Sequence, residues 1–309
     1  LPRGKRWIQS RLTLLVLLGF IHGLLFWDGD ILLAYGLIGL ICWRLIRDAP
    51  SVKSLFNTGV LLYLVGIGVL LLLGVISGGE TSRAWTPDAS ALLYEKYWKV
   101  NGGLEAVSNR VDMMSNSLLA LGAQYGWQLA GMMLLGAALM RSGWLKGQYS
   151  LQHYRRTGVL LVIIGMAINL PAIIIQWHLE WAYRWCAFLL QAPRELGAPL
   201  QTIGYAALMF GFWPQLSRLK WVIAIACVGR MALTNYLLQT LICTTLFYQF
   251  GLFMKFDRLE LLCFVIPVWA VNLLFSVIWL RFYRQGPVEW LWRQLTLRAS
   301  GTSLPRTSR

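Results

Sequence analysis

The sequence predicts an all-α, polytopic integral membrane helix bundle, and three observations carry that prediction. Only 13% of its 309 residues are charged while 57% are hydrophobic, the mean hydropathy is +0.57, and long apolar runs alternate with short polar segments. Soluble domains hold about 25% charged residues. The 16 tryptophans agree, because indole rings gather where hydrocarbon meets water. A net charge of +15 could point to nucleic acid, but the basic residues lie between the apolar runs rather than on one soluble face. The charge therefore reads as topology, with the lipid bilayer as partner and no nucleic acid.

A helix needs roughly 20 apolar residues to cross about 30 Å of hydrocarbon. Eight runs reach or approach that length, at 12–27, 31–46, 55–76, 118–140, 158–177, 198–213, 222–247 and 261–280, the first two being short. Sorting the intervening segments puts 19 Lys and Arg on the side that holds both chain ends and 8 on the other, with Arg230 left inside a run. The acidic residues divide the opposite way, with only Asp48 and Glu289 on the basic side. Positive-inside counting places both termini of this chain in the cytoplasm, and an even number of spans agrees.

Residues 1–298 read as one multi-pass membrane domain without an internal repeat, and 299–309 as a short, disordered cytoplasmic tail. An outer loop covers 77–116. Within it, 88–110 has helix-forming character, and Leu92, Leu93, Tyr97, Trp98 and Val100 cluster at helical spacing, as in an ordered lid or a helix on the membrane surface. The opening Leu1-Pro2-Arg3-Gly4-Lys5-Arg6 has no initiator Met and leads into no signal-peptide pattern, so an N-terminal piece is expected to be missing.

The chemistry concentrates in two stretches. In Ile21–Leu40, His22 lies in an apolar run, Asp28-Gly29-Asp30 forms a tight acidic turn, and a second apolar run carries Tyr35. If the first helix ends at Trp27, His22 sits about 7.5 Å inside that end. Ionisable groups in a span are costly, which makes them functional candidates. An imidazole beside carboxylates can serve as a general base or a proton carrier, with His22, Asp28 and Asp30 as the catalytic set. The structural alternative is equally concrete: Asp30 as a helix N-cap, Asp28-Gly29 as turn chemistry, Tyr35 as packing.

The second stretch, Gly229–Gln239, puts Arg230 inside a span. At 100° per residue Arg230 and Thr234 share one line, while Asn235 and Gln239 share another more than about 90° away. Such a helix is surrounded by protein or broken at Gly229. Arg230 can bind an anionic group, with Tyr35, Thr234, Asn235 and Gln239 completing a substrate site, or it can form an internal ion pair.

Weaker signals read as structure. Pro171 would kink the fifth run, Gln176, Trp177 and His178 anchor its outer end, His153 is solvated, and Gly286–Arg293 forms a short interfacial helix with Pro287 in its first turn. The five cysteines are scattered without a C-x-x-C pair, so neither a zinc site nor a disulfide framework is indicated. There is no metal-ligand spacing, Walker loop, G-x-G-x-x-G, H-E-x-x-H or G-x-S-x-G, and no cofactor is evident.

Three segments in order, H-G-L-L-F-W-D-G-D-I-L-L-A-Y-G-L from His22, G-R-M-A-L-T-N-Y-L-L-Q-T from Gly229 and R-Q-G-P-V-E-W-L-W-R from Arg284, closely resemble the YeiB-like bacterial inner-membrane proteins, which share domain of unknown function 418. The resemblance covers essentially the whole chain. It implies a bacterial inner-membrane location and two further spans before the point where this chain begins, about ten in the full protein. That family is in turn distantly similar to membrane acyltransferases, which would imply acyl-coenzyme A as donor. Their D-V-L-Q-R-I-G type of segment is matched here by Asp30–Gly36, with Leu33 and Ala34 in place of the Q-R pair.

The sharper functional expectation is thus a membrane-embedded acyltransferase-like protein acting on a polar or envelope acceptor, with His22 as base, Asp28 or Asp30 orienting it, and Arg230 holding an anionic group. The competing expectations are a secondary transporter of a small polar or anionic solute, and a structural or signalling membrane protein. Substrate and oligomeric state stay open.

Overall fold

The computed structural model describes residues 2–79 and 81–301. Among these, regular structure is helical throughout: α1 Pro2–Leu25, α2 Leu32–Asp48, α3 Val52–Ile76, α4 Ala89–Asn101, α5 Gly103–Ala120, α6 Gly126–Arg141, α7 Leu151–His178, α8 Gln191–Gly211, α9 Trp213–Leu216, α10 Lys220–Arg230, α11 Ala232–Thr244, α12 Arg258–Phe282 and α13 Pro287–Ser300. Each expected apolar run lies on helix. Five helices are long and apolar enough to cross a membrane, and a bent pair supplies a sixth, against the eight crossings expected. The shortfall lies in α2, whose 17 residues span only about 26 Å, and in α8, which opens on the polar Gln191, Arg194 and Glu195.

Two further features bear on the expected organisation. Inside the expected outer loop 77–116 a helix begins that runs on beyond it: α5 continues through a π turn at Leu121–Tyr125 into α6, making one 39-residue helix over Gly103–Arg141. No Gly or Pro occurs from 104 to 121, so nothing halts the helix where it turns polar. The break comes earlier, at Gly102 and Gly103, both with positive φ (+68° and +72°) that a side chain would strain. The seventh run is broken, one of the two readings its polar residues allowed: α10 and α11 meet at 85° around Met231, two residues beyond Gly229. As for the expected tail, 299 and 300 still belong to α13, 301 is described, and 302–309 lie outside the described residues.

The chain divides into two compact units, Leu1–Leu40 with Ser90–Leu118 and Leu219–Arg309, and Ile41–Ala89 with Leu119–Arg218. In the first unit α1 and α2 form a tight hairpin, since a Cβ at Gly19 would overlap the Leu33 backbone. Membrane helices approach closely at small residues, where packing replaces the hydrophobic drive available in water. At the beginning of α1, α13 is fastened by the Trp292 indole N–H, which donates to the Arg11 carbonyl at 3.0 Å. The Arg11 guanidinium lies 3.6 Å over that indole.

The bend between α10 and α11 leaves carbonyls without their helical donors, and a polar side chain answers for one of them. Asn235 Nδ2 donates to the Val228 carbonyl at 3.2 Å and to Ser276 Oγ on α12 at 2.8 Å.

In the second unit α7 and α8 pack through glycines spaced seven apart, Gly158 and Gly165 facing Gly204 and Gly197; a Cβ at Gly165 would lie 2.8 Å from the Gly197 carbonyl oxygen. Pro193 occupies the first turn of α8, where its missing N–H is no loss. Pro199 lies inside α8 and cannot donate to the carbonyl four residues back, that of Glu195. Tyr63 of α3 fills the gap, its hydroxyl donating to the Glu195 carbonyl at 2.6 Å.

Candidate functional site

The tightest polar cluster of the first unit is built where α1 ends and α2 begins. His22 is 3% exposed, and its Nδ1 lies 2.7 Å from Asp30 Oδ1. Asp30 Oδ2 accepts the Leu33 amide at 2.9 Å, so this carboxylate caps α2 and holds the imidazole at once. Both readings of Asp30 therefore coexist in one side chain. Asp30 Oδ1 also accepts the Tyr236 hydroxyl at 3.2 Å, and that hydroxyl takes the Ile31 amide at 3.2 Å. Three donors converge on Asp30, the arrangement of an ionised carboxylate.

The second imidazole nitrogen faces α11: His22 Nε2 lies 3.0 Å from Thr240 Oγ1. With Asp30 accepting at Nδ1, a neutral ring carries its proton there and leaves Nε2 bare, so the Thr240 hydroxyl donates to it. The result is a linear carboxylate–imidazole–hydroxyl relay, in which the carboxylate fixes the tautomer and the base nitrogen addresses an alcohol. The hydroxyl has a second acceptor 3.4 Å away, the Tyr236 carbonyl one turn back.

Thr240 and Tyr236 also line a cavity of about 570 Å³. Its walls are mainly apolar and aromatic, with Trp27, Phe247, Tyr248 and Phe253 among them, and Gln239 adds an amide. The relay thus ends at an alcohol that lines a greasy pocket. Beside it Asp28 pairs with Lys99 of α4 at 3.6 Å, and Glu95 lies 3.1 Å from the same ammonium. Lys99 is 9% exposed and stands over the rings of Trp98, Tyr248 and Phe253 at 5.2, 5.8 and 5.3 Å. Burial works against its charge, but Asp28, Tyr248 and Glu95 outweigh it and hold the pKa above the ordinary lysine value. Nearby, Arg110 donates to the Leu25 carbonyl at 3.1 Å, closing the end of α1.

The other residues singled out in the sequence lie elsewhere. Tyr35 is 43% exposed on α2. Arg230 is exposed at the end of α10 and donates to the Arg284 carbonyl at 2.9 Å. It is not an anion hook at the His22 cluster, because the break in the helix turns it into an end-of-helix cation. Thr234 is held by Glu289 of α13, whose carboxylate accepts the Thr234 amide at 2.9 Å and its hydroxyl in a short bond. Since α13 is fastened to α1 at Arg11, eleven residues or about 16 Å from His22 along the helix, these groups form a separate structural clasp. Asn235 serves the bend, and of this set only Gln239 reaches the cavity.

The sequence reading missed Tyr236, Thr240 and Lys99. Tyr236, Thr240, Cys243 and Phe247 follow i, i+4, i+7, i+11 spacing on one face, a stripe that could have been found, whereas nothing local pairs Lys99 with Asp28.

Residues 139–299 match the family described as Protein of unknown function (DUF418). The chain is 82% identical over 309 residues to YeiB of Escherichia coli (strain K12), covering 100% of this chain and 80% of that protein. It is 30% identical over 312 residues to YxaH of Bacillus subtilis (strain 168), covering 95% of this chain and 73% of that one. No solved structure matches.

Proposed function

This chain belongs to the DUF418 family of YeiB-like proteins, and from its own geometry we propose that it is a membrane-embedded acyltransferase-like protein. The observation that carries the reading is the line Asp30–His22–Thr240, with contacts of 2.7 and 3.0 Å, ending at a residue that lines the 570 Å³ apolar cavity. Such a cavity suits an acyl chain, and such a relay suits proton transfer from an alcohol.

In this account an acyl thioester or ester lies with its chain in the cavity. His22 Nε2 draws the proton from Thr240 as Oγ1 forms a bond to the acyl carbonyl carbon. The donor's C–S or C–O bond breaks and its leaving group takes the proton from His22. An acceptor alcohol then gives its proton to the same nitrogen and attacks the acyl-threonine ester, and Thr240 leaves reprotonated. Asp30 holds the ring and offsets the imidazolium charge, and Gln239 offers an amide to the carbonyl oxygen. The excess of basic residues on the side of both chain ends supports an inner-membrane protein with those ends in the cytoplasm.

The test is transfer of a labelled acyl group by the full-length protein in nanodiscs. His22→Ala should reduce it by about 10² to 10⁴-fold, the range of general-base contributions. Unchanged transfer in that variant would remove the base.

A second reading has one observation of its own, the 85° break beside Arg230 and Asn235, because transporters bind solutes at interrupted helices. It expects proton-coupled uptake into vesicles, abolished by His22→Ala, with no acylated product.

A further inference from the structure

The second unit holds a polar site that the acyl-transfer reading does not use. Glu195 lies against Tyr63, the twelfth of the 25 residues of α3, so its carboxylate stands beside the middle of a helix long enough to span. A charge at that level is costly and is kept where it works. Its hydrogen-bond partners are all neutral: Gln191 Nε2 donates to Oε1 at 2.7 Å, Gln128 Nε2 to Oε2 at 3.3 Å, and the Tyr63 hydroxyl lies 3.3 Å from Oε2. Gln128 is itself held by Gln124, whose amide bonds the Gly66 carbonyl as well. No basic side chain among the described residues lies within ion-pair distance of Glu195.

Next to it, Arg194 is in no ion pair among the described residues and donates to Gln191 Oε1 at 3.3 Å. Adjacent helix positions diverge by about 100°, so the two opposite charges do not neutralise each other. Both nevertheless line one groove of about 350 Å³. Between α7 and α8 the same groove carries the Asn169–Gln201 amide pair, whose Nδ2 to Oε1 distance is 3.0 Å, and its remaining wall is aliphatic. The volume is at the lower end of the roughly 300–1,000 Å³ that small-molecule sites occupy.

We propose that this groove binds a small zwitterion, its ammonium on Glu195, its anionic group on Arg194 and its polar middle on the amides of Asn169 and Gln201. Among the described residues neither charge of the groove lies in an ion pair, so a ligand bearing both supplies both. A purely anionic ligand would meet the Glu195 carboxylate, and a purely cationic one would meet the guanidinium. Two sources share the chemistry, a free amino acid and the ethanolamine phosphate headgroup of a lipid. The proposal stands apart from the acyl-transfer reading and shares no residue with it.

The experiment is thermal unfolding and calorimetric titration of the full-length protein in phosphatidylglycerol nanodiscs, with each of the twenty amino acids at millimolar concentration. In a parallel arm phosphatidylethanolamine is built into the disc. At least one amino acid should raise the melting temperature by several degrees, or the ethanolamine lipid should do so in its place, and which arm responds identifies the source. Derivatives lacking one charge, the N-acetyl amino acid or its amide, should bind at least tenfold more weakly. Glu195→Gln and Arg194→Gln should each weaken binding at least tenfold. Arg194 is exposed, so the second variant keeps the test available if the first does not fold. Silence in both arms, equal binding of the N-acetyl derivative, or unchanged affinity in a folded Arg194→Gln protein would overturn the proposal.

Discussion

The two units keep a carboxylate in apolar surroundings by opposite means. Asp30 is matched inside the protein: it takes the His22 ring, the Tyr236 hydroxyl and the Leu33 amide, and helix capping is part of its duty. Glu195 also takes uncharged donors, from Gln191, Gln128 and Tyr63, but no imidazole is among them, and it opens on a groove that also holds a guanidinium with no carboxylate in ion-pair distance among the described residues. The cluster with the imidazole has a proton to offer, between Nε2 and the Thr240 hydroxyl, and it favours chemistry. The one that opens two opposite charges on a groove offers them to a ligand and favours binding.

Exchanging the damage between the units is the strongest way to break that contrast. His22→Ala should remove acyl transfer by about 10² to 10⁴-fold and leave zwitterion binding intact, while Glu195→Gln should do the reverse, as read by product formation and titration on the same preparations. If both readouts fall together in either variant, the two sites are not separate functions. A milder probe is Asp30→Asn, which retains the shape but loses the charge that orients the ring. Transfer should drop about 10²-fold with the melting temperature lowered, since the α2 cap weakens too.

Tyr63→Phe asks whether the second unit depends on its own polar joint. It leaves the carbonyl freed by Pro199 without a donor, and the expected loss is about 1–3 kcal/mol in denaturant unfolding; no loss would mean that water fills the gap. The smallest expected effect concerns Lys99. Its pKa is raised above the ordinary 10.5, so the pairing with Asp28 and Glu95 stabilises fully below about pH 10.5 and is lost as pH climbs through the higher folded-state value. Wild type should therefore lose more stability than Lys99→Met between pH 9 and 12, and equal losses would show that the pair contributes nothing.

The helices were legible because apolar length alone decides where a chain can be helical in lipid. His22 and Asp30 were legible too, because an imidazole in an apolar run and an Asp before another run need partners and can supply them to each other. Thr240 was not, since its tie to His22 joins residues 218 apart in sequence and only tertiary structure creates it. Arg230 was read into the site because a guanidinium inside an apolar run needs a partner; a break at Gly229 was one of the two readings, and the bend found at Met231 moves the guanidinium to a helix end. Glu195 escaped for a related reason. The apolar run was counted from 198, which left Glu195 in the polar segment before it, whereas α8 begins at Gln191, with Pro193 where a helix tolerates proline and Pro199 answered by Tyr63.

The account turns on the proton path from Thr240 to His22, and intact-mass analysis reads it directly. Full-length protein in nanodiscs is exposed to a long-chain acyl thioester without acceptor, and the labelled peptide is mapped. One acyl group on Thr240 in wild type, retained in Thr240→Ser and absent from both Thr240→Val and His22→Ala, is the predicted result. An adduct at another residue, or acylation of Thr240 undiminished in His22→Ala, would contradict it.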